Sequence, residues 1–114
     1  MPLIRIEVVD IWSEDELDLL MQALHEAMVS AFEVPDRDRY QVLTSHRPGR
    51  LIMQDTGLGF ERSDRRVLVQ VTTRPRSNES KRMFYALAAS HLVERLNMHS
   101  EDVMIAFVEN TDID

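Results

Sequence analysis

Slid along itself by 64 residues, this sequence meets its own pattern. Leu3–Val9 (LIRIEVV) falls on Val67–Thr73 (VLVQVTT), two runs rich in the β-branched residues that favour strands. Ser13 falls on Ser77, each a hydroxyl suited to cap a helix. Leu20, Leu24, Met28 and Phe32 fall on Phe84, Ala88, Leu92 and Leu96, two apolar stripes at helical spacing. Asp38 falls on Asp102, and Tyr40–Thr44 (YQVLT) on Met104–Val108 (MIAFV). Few letters are identical, so it is the hydrophobic pattern that repeats. The chain reads as two β-α-β units, pseudo-repeats 2–46 and 66–110, within one domain of residues 1–114.

That pattern dictates an α/β (α+β) architecture. A strand–helix–strand unit of this length pairs its strands in parallel through a right-handed crossover. Two units make a four-stranded sheet with two helices on one face. The other face then needs cover, because parallel strands are normally buried on both sides. Burying it between copies of the chain is the simplest solution.

Local signals agree. Ser13 opens S-E-D-E, a capping box with Glu16 three residues on. Behind it Leu17, Leu20, Leu24, Met28, Ala31 and Phe32 form the stripe, and Val34-Pro35 ends the helix. Between the repeats, HRPGR is turn chemistry, LIMQ reads as a short strand of a hairpin, and DTGLGFERSD as a loop.

The sequence carries 44% hydrophobic and 29% charged residues, the balance of an ordinary globule. Its formal net charge of −7 argues against nucleic-acid and anionic-membrane surfaces. There is no cysteine, which excludes disulfides and thiolate chemistry. The N-terminus has no basic segment leading into an apolar run, and no window is long enough to span a bilayer, so the cytoplasm is the default location.

Against that acidic background, Arg74 and Arg76 in VTTRPRSNES stand out. Arg74 precedes a proline and is pushed towards extended backbone, where residues two apart point the same way. Ser77 opens the next helix, whose unpaired N–H groups favour an anion. Two guanidiniums there suit a carboxylate held bidentately. A solvated arginine pair at a strand end explains the stretch equally well.

Pro2 is the second candidate. Loss of Met1, which a small second residue permits, would expose a secondary amine. Such a group has a reference pKa of ~7.7–8.0 and can serve as acid or base near neutrality. Proline also simply suits the start of a strand. In a frame of parallel neighbours, strands start near the same end of the sheet, which leaves the meeting of Pro2 with the arginines to geometry.

The third is Asp38, in the charged linker VPDRDRYQ, either solvated surface or a carboxylate aimed into a cleft. His25, His46, His91 and His99 lack metal-ligand spacing, and His25 and His91 read as helix-surface residues. Gly57-Leu58-Gly59 lacks the following helix that a phosphate cradle needs.

Taken together these stretches resemble the tautomerase superfamily, and within it the malonate semialdehyde decarboxylase branch. The resemblance is carried by PL at Pro2, AMVSAFEVPDRDRYQ, HRPG, DTGLGF, RPRS and VENTD, in order along nearly the whole chain. It implies a homotrimer and a catalytic N-terminal proline at Pro2. It implies Asp38 as the partner carboxylate, and Arg74 with Arg76 as the pair that binds a small carboxylate substrate. No cofactor and no metal are implied. The implied reaction is decarboxylation of a small 3-oxo acid, with hydratase activity at its side. A keto–enol tautomerase or hydratase of small 2-oxo acids, or a non-catalytic trimeric binding protein that keeps Met1, are the alternatives.

Overall fold

The computed structural model describes residues 2–111. Its elements run β1 (Leu3–Val9), α1 (Glu14–Phe32), β2 (Tyr40–His46), β3 (Val67–Thr73), α2 (Asn78–Leu96) and β4 (Val103–Glu109), with single 3-10 turns at Pro48–Arg50 and Ser100–Asp102. The strands form one sheet in the order β2-β1-β3-β4. Within each half the pair is parallel, β1 with β2 and β3 with β4. The halves join through β1 and β3, which run antiparallel. Neighbours at the centre of the sheet therefore start at opposite ends.

Both helices lie on one face. Ile4, Ile6 and Val8 of β1 and Val67, Val69 and Val71 of β3 point inward. They share a core with Leu20, Ala23, Leu24, Ala27 and Met28 of α1 and with Phe84, Ala88 and Leu92 of α2. Each of these is essentially inaccessible to water, and truncating one of the larger ones to alanine costs about 2–5 kcal/mol. Ser13 caps α1 by accepting from the Glu16 N–H, and Glu16 returns the bond to the Ser13 N–H, completing the box. Ser77 caps α2 by accepting from the Ser80 N–H. Both helices end in a left-handed residue, Glu33 (φ 53°) and Asn97 (φ 54°). Asparagine tolerates that conformation, whereas glutamate adopts it at a cost.

Two expectations are corrected. LIMQ forms no strand: Arg66 Nε donates to the Leu51 carbonyl (2.8 Å) and Arg62 Nε to the Gln54 carbonyl (2.7 Å), occupying acceptors a partner strand would use. The repeat frame also slips by one residue at the first strands. Ile4, Ile6 and Val8 face inward, yet the residues 64 further on, Leu68, Gln70 and Thr72, face outward. The strand-to-helix connection differs in length: residues 9–12 separate inward Val8 from the Ser13 cap, but only residues 74–76 separate inward Thr73 from Ser77. A one-residue slip turns every side chain of a strand to the other face.

The outward face keeps apolar groups in contact with solvent. Tyr40 and Val42 on β2 and Met104 and Val108 on β4 are each 40–47% exposed.

Candidate active site

The antiparallel join decides what meets at the sheet end. Leu3 pairs with Thr72 across β1/β3 and with Tyr40 across β1/β2. One step back from Leu3, Pro2 is level with Thr73, at the root of the Arg74-Pro75-Arg76 connection. Two residues before Tyr40 comes Asp38. Chain positions 2, 38 and 73–76 thus share one end of the sheet. Alternation puts Pro2 on the helix side with Ile4, and Pro2 is buried. On the far side of β3, the Asn110 N–H donates to the Thr73 carbonyl (2.8 Å), bringing the end of β4 alongside.

Arg76 is the better fixed of the two arginines. Its Nε donates to Thr73 Oγ1 (3.1 Å), and its guanidinium carbon lies 5.0 Å from the centre of the Phe32 ring. Among the described residues that single hydrogen bond is its only one, which leaves both Nη groups with donors to offer. Arg74 is exposed beside it. The extended cap residue Ser77 (φ −65°, ψ 154°) directs the connection into α2, so the helix N-terminus opens on the same corner. Asp38 is half-buried, and its N–H closes a turn onto the Pro35 carbonyl (2.9 Å).

The walls come from residues that sequence reasoning assigned only to apolar stripes or strands. Phe32 at the end of α1 stacks on Phe84 (5.7 Å) and meets Phe107 of β4 edge-on (5.9 Å). Lys81 on the second turn of α2 pairs with Glu109 (2.6 Å), its Nζ 5.7 Å from the centre of the Phe107 ring. The short spacing between Ser77 and Lys81 was the available signal for a third cation at this corner. The corner is open in the single chain; a groove of about 600 Å³ lies elsewhere, along the outer face of α1 between Leu19, Gln22 and Arg39.

The remaining candidates resolve otherwise. The amides of Gly57 and Gly59 donate to Asp55 (3.0 and 2.7 Å), so that loop offers them to no phosphate. Those same bonds hold the Asp55 carboxyl below the usual range. His25 is no surface residue: it is 1% exposed, with Nε2 3.1 Å from Asp36 Oδ1. No cluster of three metal-ligating side chains occurs among the described residues. Among the described residues no helix is long and apolar enough to cross a membrane. Met1, whose removal would expose the Pro2 amine, and Asp112, the last residue of VENTD, lie outside the described residues.

Comparison with known proteins bears on the same geometry. Two family models, each describing a tautomerase enzyme, match residues 2–61 and 38–114. The probable tautomerase YrdN of Bacillus subtilis (strain 168) is 37% identical over all of this chain and 88% of its own length. A solved malonate semialdehyde decarboxylase, described for its decarboxylase and hydratase activities, is 42% identical. It superimposes with a TM-score of 0.94 over 98% of this chain and 87% of its own. A second malonate semialdehyde decarboxylase, inhibited by 3-bromopropiolate, is 36% identical, with a TM-score of 0.91 over 96% of this chain and 83% of its own.

Proposed function

This chain belongs to the tautomerase family, and from that premise we propose that it decarboxylates a small 3-oxo acid of the malonate semialdehyde type. The observation that supports this reading is the antiparallel pairing of β1 with β3. It aligns Pro2 with the root of the arginine connection, while parallel β2 brings Asp38 alongside.

The chemistry follows from those groups. When a 3-oxo acid loses CO2, the electron pair of the breaking C–C bond passes into the carbonyl and leaves an enolate. The barrier falls if a donor neutralises the oxygen as charge develops. A protonated Pro2 amine is that donor, and it can then return a proton to carbon, giving acetaldehyde from malonate semialdehyde. Arg74 and Arg76 hold the carboxylate so that the breaking bond lies along the carbonyl π system. Asp38 favours the charged amine and accepts its hydrogen bond. The scheme uses no cofactor. With a neutral Pro2 the same groups would tautomerise a 2-oxo acid, a second reading favoured by the likeness to YrdN.

We further propose a homotrimer in which the outward sheet face is buried. Tyr40, Val42, Met104 and Val108 make that face costly to leave wet, and a neighbouring copy would also close the open corner.

The test is to prepare protein with and without Met1, verified by intact mass, and to assay CO2 release from malonate semialdehyde. Only the form that starts at Pro2 should turn over, because an acylated proline nitrogen has no basicity. Equal activity with Met1 retained would sink the amine mechanism. Turnover of 2-oxo acids alone would favour the tautomerase.

A further inference from the structure

One titratable group in the core takes no part in this scheme. His25 on α1 is 1% exposed, and its Nε2 contacts Asp36, whose side chain is otherwise 89% exposed. An ionised aspartate only accepts hydrogen bonds, which makes Nε2 the donor. Nδ1 is then left buried without a partner among the described residues. An apolar side chain of similar size would avoid that loss. Departures of this kind are expected where a residue serves a site rather than the core.

What the contact holds is the linker that carries Asp38. That linker leaves α1 through Glu33 in the left-handed conformation. It turns at Pro35, where the Asp38 N–H closes back. Further on, Arg39 donates to Gln22 Oε1 (2.8 Å) and Gln41 Oε1 (2.9 Å). The side-chain anchors therefore fall at Asp36 and Arg39, and Asp38 lies between them. Asp36 takes its anchor from His25 on α1 while staying exposed itself, and Asp38 remains at the sheet end.

We infer that His25, acting through Asp36, is a positioning residue that fixes the reach of Asp38 towards Pro2. The inference rests on the role given to Asp38 above. Removing the anchor lets the turn at residues 35–38 relax, so the Asp38–Pro2 hydrogen bond forms less often, while the arginines that bind the carboxylate stay in place. The expected signature is a lower kcat at nearly constant KM.

Asp36 is the position to vary, because its exposure spares the core. In Asp36→Ala, kcat on malonate semialdehyde should fall about tenfold, the scale of one charge-assisted hydrogen bond. Asp36→Asn keeps an oxygen for Nε2 and should recover most of it. In an Asp38→Asn background, Asp36→Ala should have no further effect, since both act through one group. Full additivity of the two substitutions, no recovery with asparagine, or a wild-type kcat in Asp36→Ala would each overturn the inference. Asp38→Asn with undiminished decarboxylation would instead defeat the role given to Asp38 itself. Amide exchange supplies a readout independent of turnover: protection at the Asp38 N–H should drop in Asp36→Ala, and unchanged protection would refute the positioning role.

Discussion

The two ends of the sheet are built from equivalent parts of the two halves, yet they treat their charges in opposite ways. At the end formed by the last residues of β1 and the first of β3, Arg62, Arg65 and Arg66 are bound by the chain. Arg62 donates to the carbonyl of Glu101 as well as Gln54, and Arg66 to those of Pro48, Leu51 and Ser63. Arg65 donates to the Leu96 carbonyl and lies over the Trp12 ring (4.4 Å). The carboxylate there, Asp102, is 2% exposed and accepts from the N–H and the hydroxyl of Ser63 (2.6 and 2.5 Å). At the Pro2 end, Arg76 gives one hydrogen bond among the described residues and Asp38 is only half-buried. Charged side chains whose donors are spent on the backbone hold a fold together. Those that keep donors in hand can hold a ligand.

That contrast breaks most sharply under a double substitution. Arg74→Ala with Arg76→Ala removes two charge-assisted contacts of about 1.5–3 kcal/mol each. It should lower kcat/KM on malonate semialdehyde at least about a hundredfold, with a thermal midpoint close to that of the parent. A large drop in midpoint would mean that both ends are structural.

At the opposite end the same logic runs in reverse. Asp102→Ala removes a buried carboxylate that accepts two hydrogen bonds from Ser63, and should cost about 1–3 kcal/mol in chemical denaturation, with kcat/KM retained. Loss of activity at full stability would erase the distinction.

The smallest effect lies between the ends, where Arg95 of α2 grips Glu26 of α1 through both Nη groups (2.7 and 3.0 Å). The hydrogen bonds from Arg95 lower the Glu26 carboxyl below its usual range. Stability from this pair is therefore full above the unfolded carboxylate range and is lost as pH falls through the lowered folded value. Because the pair is solvent-exposed, Glu26→Gln should cost less than ~1 kcal/mol near neutrality. The difference from the parent should vanish in acid, and an undiminished difference there would exclude the ion pair as its source.

The elements were legible because their signals are local. A capping box at Ser13 and an apolar residue every third or fourth position at Leu20, Leu24 and Met28 suffice to define a helix. β1 and β3 begin and end where their β-branched runs do. The candidate site was legible as a set of residues, and the resemblance supplied the roles proposed for them. What no periodicity carries is the direction in which one half docks on the other, and the alignment of Pro2 with Thr73 depends on that direction. The one-residue slip between the first strands was hidden for a related reason. An ungapped shift compares the halves at fixed spacing, so a connection one residue shorter at 74–76 goes unseen, although Val67, Val69 and Val71 themselves mark the inward face of β3. His25 looked like a surface residue because its partner Asp36 lies in the linker beyond the helix.

The strip of hydrogen bonds between β1 and β3 has a further consequence for how a newly made chain acquires its proposed activity. The strand pairs β1/β2 and β3/β4 each close within one half, whereas Leu3 must find Thr72 across most of the chain. Neither half alone holds both the amine and the guanidiniums. The proposed catalytic competence therefore belongs to the docking step rather than to any element, and a chain with both strand pairs formed but its halves apart would lack the shared core and be chemically silent.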